Sequence, residues 1–415
     1  MMRIHAQSSL RFISRHCSRT LPVALPRHLS TSTTAARTTI PMSLPLPLLP
    51  PTRRVPQHHH HLSSFLRRTF ATKKGPPPES FTFYTSASFS PKGKKYDPEK
   101  EIFSHVSGSP ESTPNPEKRR SRAGQDAYFV TGLEHAEGDG NDAVAVGVAD
   151  GVGGYDKIGI DSAIFSQALV ISIASAAQAA TSAAVNPRDL LEIGYARTLE
   201  DDKIKGGAAT ACLGVFKKDG TLNVANLGDS GFVILRQGKV HYASQPQTHD
   251  FNFPLQLVYI PAHSPAEVTP SDTPEMSTTS SHQLQEGDVV LFATDGVWDN
   301  ISAQEILRGV SAKMLETHCW KIPVEGEGIK TSAKHLTAAT MTKEDHVPLH
   351  TALARTVIRM AKSASMNTKR DGPFAKEVQR LFPNENYHGG KVDDITVIVT
   401  VVKKNYPTPK LAANL

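Results

Sequence analysis

ATACLGVFKKDGTLNVANLGDSGFVILRQGKVHYA, residues 209–243, decides the architecture. Four strand-length apolar runs stand in a row: Ala209 to Phe216, Thr221 to Leu227, Phe232 to Arg236 and Val240 to Ala243. Lys-Lys-Asp-Gly, Gly-Asp-Ser-Gly and Gln-Gly-Lys separate them, and each is a turn sequence. Connections this short oblige neighbouring strands to pair antiparallel, so the stretch predicts a meander.

Working outward, Ala143 to Val148 is a short apolar run leading into Asp150-Gly151, a buried strand opening into a loop. Ser162 to Ala184 is Ala-rich with repeating Ile, Phe and Leu and reads as a helix stopped by Asn186-Pro187. Pro187 suits the first turn of the next helix, which is expected to run to Glu200. Downstream, Asp288 to Thr294 reads as a strand, Ser302 to Thr317 and Leu349 to Ser365 as helices, and Asp394 to Val402 as a last apolar strand. Phe81 to Phe89 is a strand candidate before all of these, followed by a polar loop to Arg122. Residues 251–282 are expected to be irregular, and 322–346 to be a polar surface insertion. Meander strands with helices inserted in pairs predict an α+β fold of two stacked sheets with helices outside.

The charge is unevenly spread. Met1 to Pro78 carries twelve Lys+Arg and no acid, leaving 46 − 12 = 34 basic against 40 acidic residues, a net of −6 for the body. Such a body speaks against nucleic-acid binding, and the absence of an apolar run of membrane-spanning length predicts no membrane span. Arg3, Arg11, Arg15 and Arg19 recur at near-helical spacing in a Ser-rich, acid-free leader. Residues 1–75 therefore read as a transit peptide of mitochondrial or plastid type followed by a disordered linker, with Arg67-Arg68-Thr69-Phe70-Ala71 as the processing site. A plain disordered basic tail is the alternative. Cys17, Cys212 and Cys319 have no metal or disulfide spacing.

No serine elbow, phosphate-binding loop or Cys-His arrangement occurs along the chain. What recurs is aspartate at the ends of β-segments: Asp126, Asp150-Gly151, Asp229, Asp295-Gly296, Asp299 and the Asp393-Asp394 pair. Singly, each Asp-Gly is as well explained as a turn. Gathered at one rim of a sandwich, the carboxylates would repel unless cations neutralised them. Hard oxygen donors without His or Cys favour Mg²⁺ or Mn²⁺. Two such ions about 3.5–4 Å apart lower the pKa of water and clamp a phosphoryl group, which needs no protein nucleophile.

In order, Gly124-Gln125-Asp126-Ala127, Val148-Ala149-Asp150-Gly151-Val152-Gly153-Gly154, Gly206-Gly207-Ala208-Ala209-Thr210, Asn226-Leu227-Gly228-Asp229-Ser230, Ala293-Thr294-Asp295-Gly296-Val297-Trp298-Asp299 and Val392-Asp393-Asp394-Ile395-Thr396-Val397 resemble the motifs of the PPM (type 2C) protein phosphatases. The Ala-Asp-Gly-Val-Gly-Gly form is similar to the mitochondrial Ptc-seven-like branch. This resemblance implies a four-layer α-β-β-α sandwich of two antiparallel sheets flanked by helix pairs, over residues 80–404. It implies a serine/threonine phosphatase using two Mg²⁺ or Mn²⁺ ions, with Asp126, Asp150, Asp295 and Asp393 as the catalytic, metal-holding carboxylates. Asp150 would bridge both ions, and the Gly151 carbonyl would bind one of them. Asp229 and Asp299 match positions that hold a third, weaker ion in some members, and Asp394 stands where many relatives have Asn.

Two departures accompany the resemblance. Ser121 replaces the phosphate-gripping Arg of many relatives, leaving the adjacent Arg122 as the candidate, and Val152 replaces a His that is a candidate general acid. The implied setting is the mitochondrial matrix, the implied partners phosphorylated mitochondrial proteins, with coenzyme Q biosynthesis enzymes as one class, and the expected state a monomer. A pseudophosphatase or regulatory binding module on the same fold, and a phosphatase of small metabolites, stay open as alternatives.

Overall fold

The computed structural model describes residues 79–108, 123–133, 143–155, 159–180, 185–260, 272–341 apart from 325 and 327, and 346–406. The expected targeting segment, 1–75, and Arg122 lie outside the described residues.

Two antiparallel sheets organise the body. Their strands, in chain order, are β1 Ser80–Ser90, β2 Ile102–Val106, β3 Asp126–Gly132, β4 Val144–Asp150, β5 Ala211–Phe216, β6 Thr221–Leu227, β7 Gly231–Arg236, β8 Lys239–Ala243, β9 Thr278–Gln283, β10 Val289–Ala293 and β11 Ile395–Asn405. The six-stranded sheet has the order β2-β1-β11-β10-β7-β8, and the five-stranded sheet β9-β6-β5-β4-β3. The single meander expected over 209–243 is instead two hairpins, β5–β6 in one sheet and β7–β8 in the other, because the Gly-Asp-Ser turn carries the chain across between the sheets and does not pair β6 with β7. The last strand, β11, pairs with β1 along its whole length, from Ser80↔Asn405 to Ser90↔Ile395. Residues 395–402 are buried on both faces, which explains a run broken only by Thr396 and Thr400 before the partly exposed Lys403-Lys404-Asn405 end.

Side-chain alternation sorts the core into three layers of contact. Phe83, Val144, Val146, Val148, Phe216, Val224, Phe232 and Phe292 fill the space between the sheets. There Phe216 packs edge-on to Phe292 with ring centroids 6.3 Å apart. Outward-facing Phe129, Ala145, Leu213 and Val215 meet Phe165, Leu169 and Ile173 of helix α1, Ser162–Gln178, and Leu190 and Leu191 of helix α2, Pro187–Glu200. On the other side Leu291, Val397 and Val399 meet Ile306, Val310 and Met314 of helix α3, Ala303–Glu316, and Leu353, Val357 and Ile358 of helix α4, Leu349–Ser365. The result is the four-layer α-β-β-α sandwich. Each fully buried Leu, Ile, Val or Phe contributes about 1.5–3 kcal/mol relative to exposure, whereas an exposed pair such as Arg380–Glu377 is screened by water and adds little. The apolar layers, not surface charge, hold the fold.

Helix starts follow local chemistry. Asp161 caps α1 through the Ala163 amide, Asn186 caps α2 with Pro187 in its first turn, and Ser302 and Glu305 form a capping box on α3. α1 stops at Gln178, short of the expected Ala184. The expected strand 209–216 breaks at Thr210, because Gly207–Ala209 turns aside to pair with Leu257–Tyr259.

Residues 251–282 are less irregular than expected. They include the edge strand β9, whose Thr-Thr-Ser-Ser-His-Gln sequence is polar because much of it faces water. Nor is 322–346 merely a surface insertion. Trp320–Lys321 pairs with Lys330–Thr331, and a helix, Ala333–Thr340, buries Leu336 and Ala339. Strand β2 and a helix at Pro373–Leu381 are further elements that sequence patterning did not disclose.

Candidate metal centre

Strand register brings the aspartates to one rim. Asp126 begins β3 and lies directly opposite Asp150, the last residue of β4. Val148 of β4 pairs with Cys212 of β5, and Ala211 pairs with Leu227 at the end of β6, so the Asp229 turn lies at the same edge. In the facing sheet, Ala293 pairs with both Gly231 and Val397, which sets Asp295 just beyond β10 and Asp393-Asp394 just before β11 at that edge.

Two glycines permit the approach. A side chain on Gly151 would meet the Gln125 carbonyl oxygen at 2.7 Å and that of Ser162 at 2.8 Å, while the Gly151 amide donates to the Gln125 carbonyl over 3.0 Å. A side chain on Gly296 would meet the Asp394 carbonyl oxygen at 1.9 Å. Neither glycine has positive φ. Their requirement is steric closeness, not a turn conformation.

The carboxylates are held by their neighbours. Asp126 is fully buried, and the Thr294 hydroxyl donates to its Oδ2 over 2.8 Å. The Asp150 amide donates to Thr210 Oγ1 over 3.1 Å, and Thr210 Oγ1 lies 2.7 Å from Ser230 Oγ, which ties the end of β4 to the Asp229 turn. Burial, then the charges of Asp394 and Asp295, pushes Asp126 well above the ordinary carboxylate range. Burial, then Asp295, Asp126 and Asp393, does the same to Asp150. Burial and Asp295 raise Asp229 to about 7, and burial raises Asp299 well above its ordinary value. Burial pushes Asp295 up, but the Lys391 charge together with hydrogen bonds from Asp150, Lys391 and Asp299 holds this carboxyl below its usual value.

Lys391 is the side chain that sequence reading missed. Its Nζ lies 2.5 Å from Asp295 Oδ2, 2.5 Å from Asp299 Oδ2 and 3.2 Å from Asp393 Oδ2. The available signal was a lone cation two residues before an acidic pair. Thr294 and Thr210 were missed as well, since a hydroxyl's service to a distant carboxylate is invisible before the fold is known.

Three other candidates take different partners. Asp394 turns to the backbone, accepting from the Lys92 amide over 2.6 Å and the Gln125 amide over 2.8 Å. It clamps the loop that delivers Asp126. Val152 packs against the apolar group of Tyr155, Ile160 and Ala208. His249 is engaged with Asp272 over 2.8 Å.

Among the described residues no three acidic or imidazole groups close around one point as a finished cage. The donor set nevertheless fits a hard cation. It is all oxygen, and Asp229 Oδ1 and Asp295 Oδ1 are shut off from solvent without a hydrogen-bond partner. After burial, repulsion from neighbouring carboxylates raises Asp126 and Asp150, and repulsion of that kind is what a divalent ion relieves.

Comparison with known proteins agrees with this architecture. Residues 118–321 match the model of the family described as Protein phosphatase 2C. The chain is 36% identical over 284 residues to "Protein phosphatase PTC7 homolog fig" of Drosophila grimshawi, covering 68% of this chain and 80% of that protein. It is 34% identical over 289 residues to the Drosophila melanogaster protein of the same name, covering 69% and 80%. Among solved structures, that of the photosystem II phosphatase PBCP is similar, with TM-score 0.50 and 26% identity, covering 70% of this chain and 96% of the other. Fold, motif order and these likenesses together place the chain in the PPM, or protein phosphatase 2C, family of protein serine/threonine phosphatases, beside its PTC7-type relatives.

Proposed function

We propose that this phosphatase removes phosphate from phosphoserine and phosphothreonine with two divalent ions, Mg²⁺ or Mn²⁺, held by Asp126, Asp150, Asp295, Asp393 and the Gly151 carbonyl. The observation that carries this reading is the Asp126↔Asp150 register, with Asp295 and Asp393 close enough to disturb the Asp150 carboxyl. When bound, such ions activate water and polarise the phosphoryl oxygens for in-line displacement.

The chain's own residues supply placement. Thr294 orients Asp126, Thr210 and Ser230 fix the end of β4 against the Asp229 turn, and Asp394 anchors the loop before Asp126. Arg122 is assigned to the substrate phosphate, four residues before Asp126. No side chain at position 152 can move a proton, so leaving-group protonation falls to another group.

The Arg-rich, acid-free leader supports residence in the mitochondrial matrix, with phosphorylated mitochondrial proteins as substrates and coenzyme Q biosynthesis enzymes as one class of them. Among the described residues no helix is long and apolar enough to cross a membrane. The test is phosphate release from a phosphothreonine peptide and from small phosphorylated metabolites, each with Mn²⁺ and with chelator. Mn²⁺-dependent turnover of the peptide is expected. Undiminished turnover in chelator would overturn the mechanism, and preference for the metabolites would overturn the substrate class.

A further inference from the structure

Lys391 offers an inference that rests on the two-ion reading and goes beyond it. Its ammonium has three N–H donors. Two carboxylate oxygens accept from it, Asp295 Oδ2 and Asp299 Oδ2 at 2.5 Å each, and Asp393 Oδ2 stands within ion-pair reach at 3.2 Å. Asp295 and Asp393 belong to the proposed two-ion set, whereas Asp299 stands beside them, near enough to Asp229 to feel its charge.

The lysine is built into place. Its amide donates to Asn300 Oδ1 over 3.0 Å, and its carbonyl accepts from Asn300 Nδ2 over 2.9 Å. Asn300 is fully buried and also donates to the Gly296 carbonyl over 2.9 Å, so the lysine backbone is gripped by the turn that carries Asp295. The Nζ stands 5.1 Å from the centre of the Phe374 ring, a cation–π distance. Phe374 in turn packs on Phe251 and Tyr387, with centroids 5.2 and 5.5 Å away. An exposed lysine seeking a counter-ion would have neither the two-sided backbone clamp nor the aromatic wall.

A divalent ion entering this pocket would need the oxygens that the ammonium already holds, since Mg²⁺ or Mn²⁺ demands a nearly complete shell of oxygen ligands. We infer that Lys391 is a tethered cation occupying the Asp229–Asp295–Asp299 pocket, so that the chain binds two divalent ions and leaves no place for a third. Charge balance at this corner is then set by the chain and does not vary with free metal concentration.

The test counts Mn²⁺ bound per chain, from the electron paramagnetic resonance signal of the free ion, titrated into the millimolar range. Wild type should saturate at two ions. Lys391→Met, similar in length and without charge, should take up a third, weaker ion. The double variant Lys391→Met/Asp299→Asn should return to two. Circular dichroism and a melting curve check that each variant is folded. Three ions in wild type overturn the inference without any variant, and so does a folded Lys391→Met that binds two or fewer. Fewer than two ions in wild type would instead sink the two-ion reading on which the inference stands.

Discussion

Among single residues, the rim carboxylates are buried together and disfavour one another's ionised forms. Asp150 sits across the sheet register from Asp126, and Asp295, Asp126 and Asp393 all disfavour its ionised form. Replacing Asp150 with Asn keeps size and shape but removes a charge from the centre of the group. Asp150→Asn should lower kcat by about 100-fold or more, because misplacement on the ångström scale already costs that much, while the melting temperature of the metal-free chain stays the same or rises. Steady-state kinetics with a phosphothreonine peptide, beside a melting curve, tests both halves; near-normal kcat would remove Asp150 from the ligand set. Arg122→Ala should mainly raise KM, because a phosphate grip contributes to binding. An unchanged KM would make Arg122 an ordinary surface charge.

Close passage of backbone decides the next scale, that of elements. The turn at Asp295–Trp298 crosses the start of β11 where only Gly296 fits, with the Asp394 carbonyl 1.9 Å from where a Cβ would stand. Gly296→Ala should therefore destabilise by about 1–3 kcal/mol or more, measurable by urea unfolding; a neutral result would mean that the two segments separate easily. The helix at Ala333–Thr340 makes a second test. Its Leu336 is fully buried against the α3/α4 layer, and Leu336→Ala should cost about 2–5 kcal/mol. A cost near zero would return 322–346 to the status of a surface insertion.

These elements also mark where the sequence could be read and where it could not. The strands and the two hairpins within 209–243, helix α2 and strand β11 were legible because period, turn residues and caps agreed, whereas the passage of the chain from one sheet to the other at the Gly-Asp-Ser turn was not, since a short turn reads the same whether it reverses a strand or carries it across. Strand β9 was hidden because its polar face suits solvent, and β2 because Ile-Phe-Ser-His-Val does not alternate. The aspartates were legible as strand-end acids, although their convergence depends on register between strands far apart in sequence. Lys391 was not legible, since its meaning comes from Asn300 and Asp299, which reach it only through folding.

For the whole molecule, the acidic rim links stability to pH and to metal. Asp126, Asp150, Asp229 and Asp299 titrate higher in the folded chain than the ordinary value of 3.8, Asp229 at about 7. From the unfolded value up to those folded values, the native state holds more protons than the unfolded state. Stability therefore falls as pH rises through that window. Without divalent ions, the melting temperature should decline from about pH 5 to about pH 8. Saturating Mg²⁺ or Mn²⁺ should remove most of the decline and, at one hundred times Kd, add about 2.7 kcal/mol per site. Scanning calorimetry at several pH values, with metal and with chelator, checks the sign; a metal-free chain that grows more stable over this range would contradict it.

The most direct measurement is anomalous diffraction from crystals grown with Mn²⁺. Two peaks about 3.5–4 Å apart, enclosed by Asp126, Asp150, Asp295 and Asp393, are the expected result. Well-diffracting crystals soaked in Mn²⁺ with no anomalous density among those four side chains would contradict it.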